Sequence, residues 1–197
     1  MSSRRMRRSR SMPIRILPLA LLLLAGCFTT PKQKVPFAGY THYPLLPPAS
    51  FGRVAEFEHI LQGEYQGRTF QLHALLRMDS TELLVLGLTP FGTRAFTIRY
   101  DGREVELDNP NGPKLAFPPE LIISDIQEMF WPWLPDQNGW RVSTVEPAKG
   151  RDFFFANQRI SSVRFTRGKD GQRVIELANL KYGYHLRLQI IEDDEPK

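Results

Sequence analysis

The sequence predicts a mainly β domain with one central helix, an α+β fold. Residues 54–108 alternate apolar and polar side chains with period two, which is typical of antiparallel strands that bury one face. A segment beginning at Pro118-Pro119 changes to helical spacing, and period-two segments resume at residue 140. This order of five strands, one helix and four or five strands predicts a long antiparallel sheet that must curl or close. The helix is then the apolar element that fills its concave side.

The first five strands are defined by their alternating side chains and by the turns between them. One face of the second strand carries Phe70, Leu72, Ala74, Leu76 and Met78. The third strand, residues 83–88, is apolar on both faces, so we expect it to be covered on both sides. In the fourth strand Phe96, Ile98 and Tyr100 alternate with polar residues, and Asp101-Gly102 then predicts a hairpin turn.

The helix is predicted from four apolar residues at i, i+4, i+7 and i+8 spacing. They are Ile122, Ile126, Met129 and Phe130. Proline is tolerated in the first turn, and Pro132 ends the segment. Asp125 and Glu128 lie opposite this apolar face, so we expect both carboxylates to be solvated.

The first 26 residues have the three parts of a signal peptide. Six arginines precede an apolar stretch over residues 16–26, which is shorter than the roughly 20 residues that span a bilayer. The tetrad Leu24-Ala25-Gly26-Cys27 resembles the lipobox of bacterial lipoproteins. This resemblance implies cleavage before Cys27, which would then carry diacylglyceryl and N-acyl groups such as palmitate. The alternative is an ordinary secretory signal followed by a chance cysteine.

The remaining chain divides into a proline-rich tether, residues 27–50, and a domain, residues 51–197. Five prolines lie in the tether, at positions 31, 36, 44, 47 and 48. Phe28 follows the cysteine, where an aspartate would resemble an inner-membrane retention signal, so we expect an anchor in the outer membrane, facing the periplasm. Because six of the 26 basic residues precede Cys27, the mature chain has 20 basic and 21 acidic residues, a net charge of −1. This balance argues against nucleic-acid binding.

The sequence contains no pattern that predicts catalysis or a metal site. Cys27 is the only cysteine, and the four histidines lack metal-ligand spacing. His59 shares a face with apolar residues, which favours a structural role. No nucleophile elbow, phosphate loop or dinucleotide motif is present. We therefore expect a protein that is not an enzyme and has no cofactor beyond the acyl groups on Cys27.

One segment resembles a known family. Residues 83–93 (LLVLGLTPFGT) resemble the third strand and protruding loop of the outer-membrane lipoprotein receptor LolB, and the helix and the Phe130-Trp131-Pro132-Trp133 segment follow in the same order. Among LolB-like chains this one is similar to uncharacterised Gram-negative lipoproteins, some encoded near aryl-polyene-type gene clusters. The resemblance implies a LolA/LolB-like fold, a curled, incomplete antiparallel barrel of about 9–11 strands lidded by the central helix.

The resemblance also implies a binding function. A hydrophobic cavity would hold acyl chains of a lipid or lipoprotein cargo, received from a periplasmic carrier and transferred into the outer membrane by a monomer. The loop Pro90, Phe91 and Gly92 would contact the membrane. The cavity-lining candidates are Phe70, Leu72, Leu76, Leu86, Phe96, Ile98, Ile122, Ile126, Met129, Phe130 and Trp131. The alternative is a structural or assembly lipoprotein that binds a protein partner in the cell envelope.

Overall fold

Ten antiparallel strands form one sheet that is not closed into a barrel, in a computed structural model that describes residues 41–109 and 117–193. The strands are β1 (Ala55–Tyr65), β2 (Arg68–Met78), β3 (Leu83–Leu88), β4 (Arg94–Tyr100), β5 (Val105–Asp108), β6 (Trp140–Val145), β7 (Gly150–Phe155), β8 (Gln158–Arg167), β9 (Arg173–Asn179) and β10 (Tyr184–Asp193). The helix α1 (Pro119–Phe130) lies between β5 and β6 in the chain. The predicted fold class, with five strands on either side of one helix, is confirmed.

The sheet consists of two five-stranded meanders joined at its centre. Its order is β5-β4-β3-β2-β1-β10-β9-β8-β7-β6, so β5 and β6 are the two free edges. The joint is the antiparallel pairing of β1 with β10, in which Leu61 lies opposite Leu188. Within each meander the strands are connected by short turns, such as Gln66-Gly67, where both residues have positive φ, as a two-residue hairpin requires. The remaining helical segments are one 3-10 turn (Pro48–Phe51) and a short helix α2 (Glu146–Lys149).

The central helix begins and ends where its prolines dictate. Pro119 occupies the first helical position, where its missing N–H costs no hydrogen bond. Trp131 is extended (φ −64°, ψ 131°) because Pro132 follows it, so the helix ends at Phe130. Ten of the twelve residues of α1 are buried, so the helix has almost no solvent-facing side.

The segment before β1 packs against the domain, ten residues earlier than the predicted boundary. Tyr43 is fully buried, edge-to-face with Trp140 (ring centroids 5.8 Å apart), and its hydroxyl donates to the carbonyl oxygen of Pro135 at 2.5 Å. The Gln127 side chain accepts from the Leu46 N–H (2.9 Å) and donates to the Leu46 carbonyl (2.7 Å). The prediction of a tether is therefore wrong for residues 41–50, because apolar burial and this amide clamp fix them. Residues 27–40 lie outside the described part of the chain, as does the signal segment.

The third strand differs from its prediction. Leu83 and Val85 are buried on the inner face, but Leu84, Leu86 and Leu88 on the outer face are only half-buried. Leu86 pairs with Leu75 of β2, so the two leucines shield each other partially on the outside of the sheet. The expectation that β3 is fully covered on both sides is wrong, because α1 covers the inner face alone.

We expect Gln127→Ala to lower the free energy of unfolding by about 1–3 kcal/mol, because it leaves the partly buried N–H and carbonyl of Leu46 without their partner on α1. Urea denaturation of the full chain measures this. Gln62→Ala, on an exposed position of β1, is the matched control and is expected to change stability by less than about 0.5 kcal/mol. A loss as small as that of the control would show that the segment before β1 is not clamped by α1.

Candidate functional site

An apolar cavity of about 300 Å³ lies between α1 and the inner face of the sheet. The sheet contributes residues from β1, β2, β3, β4 and β10, and the helix contributes four residues from one side. Its lining residues are His59, Leu61, Phe70, Leu72, Ala74, Val85, Ala95, Phe96, Phe117, Ile122, Asp125, Ile126, Met129, Tyr184, Leu186 and Leu188. Fourteen of these sixteen side chains are aliphatic or aromatic, so the wall suits an apolar ligand.

The cavity exists because small residues face two phenylalanines across neighbouring strands. Phe70 lies opposite Gly63, and a Cβ at Gly63 would come within 2.1 Å of its ring. Phe96 lies opposite Gly87, where a Cβ would come within 2.5 Å of its ring. Each ring thus covers the backbone of a glycine instead of crossing the interior. With Ala74 between them on β2, the wall leaves space that larger side chains would fill.

The structure places six of the eleven predicted lining residues in this wall. They are Phe70, Leu72, Phe96, Ile122, Ile126 and Met129. Leu76, Ile98 and Trp131 are instead part of the close-packed core. Phe130 packs on Phe57 (ring centroids 4.8 Å apart), and Leu86 points to the outer face of the sheet. The sequence predicted the faces of β2 and α1 well, but it did not indicate which inward residues border empty space.

Two carboxyl groups on α1 that were predicted to be solvated, those of Asp125 and Glu128, are buried, so that prediction is wrong. Asp125 and Glu128 are 4% and 3% exposed. The Tyr184 hydroxyl donates to Asp125 Oδ2 at 2.6 Å, and the Ser161 hydroxyl donates to Glu128 Oε2 at 2.5 Å. The sequence showed an amphipathic helix, but Asp125 lies beside Ile122 and Ile126 in the cavity wall, and Glu128 faces β8 instead of water.

Burial raises the pKa of both carboxyls. Desolvation is the main cause for Asp125, partly offset by the hydrogen bond from Tyr184. Desolvation also raises the pKa of Glu128 well above its ordinary value, and repulsion by Asp125 raises it further. Within residues 41–109 and 117–193 no lysine or arginine forms an ion pair with either group. The protonated, neutral forms are therefore favoured in the folded protein.

Two buried polar atoms at the cavity have no hydrogen-bond partner. They are Asp125 Oδ1 on the helix side and His59 Nδ1 on the sheet side. His59 is 5% exposed, and burial lowers its pKa to about 4, so the ring is neutral at neutral pH. His59 lies on the apolar face of β1, as the sequence predicted. A structural histidine usually has its ring nitrogens hydrogen-bonded, and the sequence did not indicate that Nδ1 would lack a partner.

The loop between β3 and β4 holds Phe91 away from the domain. Thr89 and Gly92 form a tight turn, in which the Gly92 N–H donates to the Thr89 carbonyl at 2.9 Å and Gly92 has φ +78°. Phe91 is 94% exposed, the most exposed large apolar side chain of the described residues. The structure therefore places the predicted loop Pro90, Phe91 and Gly92 at the surface.

Other kinds of site receive no support from the described ranges. Among residues 41–109 and 117–193, no group of three or more histidine, cysteine, aspartate or glutamate residues is arranged to hold a metal ion. In the same part of the chain, no helix has the length and apolar character needed to cross a bilayer.

Comparison with known proteins gives a matching family model and distantly similar solved structures. A family model described as "Protein of unknown function (DUF3261)" matches residues 57–192. The chain is similar in structure to a "putative outer membrane lipoprotein-sorting protein domain" from Vibrio parahaemolyticus, with 9% sequence identity and a TM-score of 0.42. That similarity covers 72% of this chain and 84% of the other. No curated protein matches the chain at a significant level.

We expect Asp125→Asn to change how stability depends on pH. Between the ordinary carboxyl pKa of 3.8 and the value of about 7 in the folded protein, the unfolded chain loses the proton and the folded chain keeps it. The free energy of unfolding of the wild type therefore falls as pH rises through this window, whereas the asparagine variant lacks this term. The variant should gain at least about 1 kcal/mol relative to the wild type between pH 4 and pH 8.

Urea denaturation at pH 4 and pH 8 measures the free energy of unfolding of the wild type and of Asp125→Asn. His59 is present in both proteins, so its own titration does not contribute to the difference between them. Glu64→Gln, on an exposed position of β1, controls for the loss of one acidic group. If Asp125→Asn and Glu64→Gln show the same pH profile, Asp125 is not held protonated by burial.

Proposed function

We propose that this chain, which belongs to the DUF3261 family of proteins of unknown function, is a cell-envelope lipoprotein that binds acyl chains in the cavity beneath α1 and helps transfer them to the outer membrane. The observation that carries the proposal is the cavity itself, an apolar space left open by glycines and alanines where core residues would otherwise pack. Natural cores are close-packed, and an empty apolar space loses dispersion contacts, so such a space favours a binding role over a structural one.

The size and lining of the cavity suit part of an acyl chain. Its volume of about 300 Å³ lies at the lower end of the roughly 300–1,000 Å³ range of ligand pockets. Each methylene transferred from water to this wall would contribute about 0.8 kcal/mol. Phe70, which is 39% exposed, lies where the cavity meets the surface, so a longer chain can extend past it.

The anchor is proposed from the sequence. Cleavage before Cys27 and acylation of its thiol and new amino group would hold the domain at the membrane, because several acyl chains together anchor durably where one chain is marginal. Phe28 after the cysteine favours the outer membrane and its periplasmic face. Residues 28–40 would then separate the membrane from the first packed residues.

Phe91 is the proposed point of delivery. The Phe91 ring is 94% exposed on a hydrogen-bonded turn. It can therefore enter the boundary between headgroups and acyl chains while the turn and the domain keep their structure. The turn continues from β3, whose Val85 lines the cavity, so the membrane contact and the ligand site lie on one strand and its turn.

A second candidate function is the binding of a protein partner in the envelope. Trp133 favours it, because this side chain is 71% exposed between Pro132 and Leu134, and tryptophan is enriched at protein interfaces. In that case the cavity would be a packing imperfection with no ligand.

Binding of a fluorescent fatty acid tests the first function. We expect cis-parinaric acid to bind saturably to the full chain, held in amphipol without free detergent. Ala74→Phe, which fills the cavity from β2, should weaken binding at least tenfold. Thr166→Phe introduces the same ring at an exposed position of β8, outside the cavity wall, and should leave binding unaltered. Absence of saturable binding to the wild type, for the fatty acid and for a triacylated lipopeptide, would contradict the proposal and favour the partner-binding function.

Transfer to vesicles tests the loop. We expect Phe91→Ser to slow transfer of bound cis-parinaric acid into phospholipid vesicles at least about fivefold, since membrane burial of the ring is lost, while affinity for the fatty acid stays the same. Leu180→Ser, at a 46% exposed leucine after β9, is the matched control and should transfer at the wild-type rate. Equal rates for both variants and the wild type would remove Phe91 from the mechanism.

A further inference from the structure

The wall of the cavity is not uniformly apolar. Asp125 and His59 place one unpartnered polar atom each among fourteen apolar side chains, from opposite sides of the space. Both side chains are more than nine-tenths buried, so bulk water does not satisfy them. A buried polar group without a partner destabilises the protein unless a ligand or an ordered water completes its hydrogen bonds. An aliphatic residue at either position would serve a purely hydrocarbon ligand better.

Asp125 is held in one orientation by a chain of hydrogen bonds behind it. The Tyr182 N–H donates to Asn179 Oδ1 at 3.1 Å, and Asn179 Nδ2 donates to the Tyr184 hydroxyl oxygen at 3.0 Å. The Tyr184 hydroxyl then donates to Asp125 Oδ2 at 2.6 Å. This chain occupies one carboxyl oxygen and leaves Oδ1, on a residue that lines the cavity, without a partner. The free oxygen is therefore preorganised, as a group that orients a ligand must be.

We propose that the cavity takes an acyl chain bearing a hydroxyl group, and that this hydroxyl exchanges hydrogen bonds with Asp125 Oδ1 and His59 Nδ1. The inference rests on the proposed function and names its ligand class, a hydroxylated acyl chain in preference to an unsubstituted one. A hydroxyl both donates and accepts, so it can satisfy a neutral carboxyl and a neutral imidazole in either of their hydrogen-bonding roles.

A neutral ligand group fits the surroundings better than a cation. Of the three buried carboxyls on α1, only Asp125 lines the cavity, since Glu128 is turned toward Ser161 of β8 and Glu120 lies outside the wall. An ammonium group would have to lose its hydration in an apolar wall with a single carboxyl oxygen to meet it, which is unfavourable without several further hydrogen bonds. A hydroxyl group costs much less free energy to desolvate than an ammonium group, and it can still donate a hydrogen bond to Asp125 Oδ1.

Competition with cis-parinaric acid on the full chain in amphipol measures the preference. The competitors are palmitic acid, a series of its monohydroxylated derivatives with the hydroxyl at successive positions, and hexadecylamine. We expect at least one hydroxylated acid to bind roughly three- to tenfold more tightly than palmitic acid, the effect of one net hydrogen bond. Tightest binding by hexadecylamine would overturn the proposal in favour of a cationic ligand.

Variants locate the preference in the cavity. Asp125→Leu and His59→Phe should each reduce the ratio of affinities between the hydroxylated and unsubstituted acids toward one, whatever either variant does to the absolute affinity for palmitic acid. Asp125→Asn, which keeps a donor and an acceptor, should retain the ratio and guards against a folding defect in the leucine variant. Glu120→Leu is the matched control, because Glu120 is a 4% exposed carboxyl on the same helix with an unpartnered oxygen but lies outside the cavity wall.

The possible results distinguish a failure of the hydroxyl preference from a failure of the acyl-binding function. If neither palmitic acid nor any derivative displaces the probe, the acyl-binding function fails and the inference fails with it. If palmitic acid competes as well as every hydroxylated acid, the function stands and the inference alone is wrong. If Glu120→Leu lowers the affinity ratio as much as Asp125→Leu does, the preference comes from general helix stability and not from the cavity.

Discussion

The burial of α1 inside the curled sheet is the constraint on which the rest of the structure depends. The two meanders meet only along β1 and β10, and the helix connects their free edges, β5 and β6. An inner face this large must be covered, and α1 is the longest element available to cover it. The helix is in turn fixed by what precedes β1, because Gln127 binds the backbone of Leu46 and Ser124 donates to the Tyr43 carbonyl at 3.3 Å.

A helix enclosed in this way has to satisfy different surroundings on its different sides. Toward β1–β4 it presents Ile122, Ile126 and Met129, and there the packing is incomplete. At the border of that cavity Asp125 accepts from the Tyr184 hydroxyl of β10, and away from it Glu128 accepts from the Ser161 hydroxyl of β8. These hydrogen bonds rigidly orient the helix, because buried hydrogen bonds lose more when broken than apolar contacts lose when shifted. The apolar side can then remain open without the helix collapsing into the space.

The openness of the cavity follows from the same arrangement. Phe70 and Phe96 cover glycines of adjacent strands, and the hydrogen bonds of α1 to Tyr184 and Ser161 hold the helix at its distance from the sheet. The space therefore persists as a property of the fold, at the cost of dispersion contacts that a filled core would have. A ligand that restores those contacts, and that also meets Asp125 Oδ1, recovers that loss on binding.

The sequence by itself determined the elements and their inner faces. Period-two alternation gave the strands, as in β2, where Phe70, Leu72 and Ala74 all reach the cavity, and the Pro119 and Pro132 positions bounded the helix. The loop at Phe91 was predicted from the resemblance of residues 83–93 to LolB, and the structure places its ring at the surface. These features are local, because a strand's alternation and a proline's fixed φ act within a few residues.

Only the tertiary structure decided where polar residues are buried and where space remains. Tyr43 lies in a proline-rich segment whose sequence indicates a tether, yet it packs between Trp140 and Phe153, about a hundred residues away in the chain. The spacing of apolar residues on α1 assigns Asp125 and Glu128 to water. That assignment fails because it assumes one covered side, whereas the sheet and the segment before β1 together enclose the helix. Burial of a given side chain depends on how distant strands close around it, and no local pattern records that.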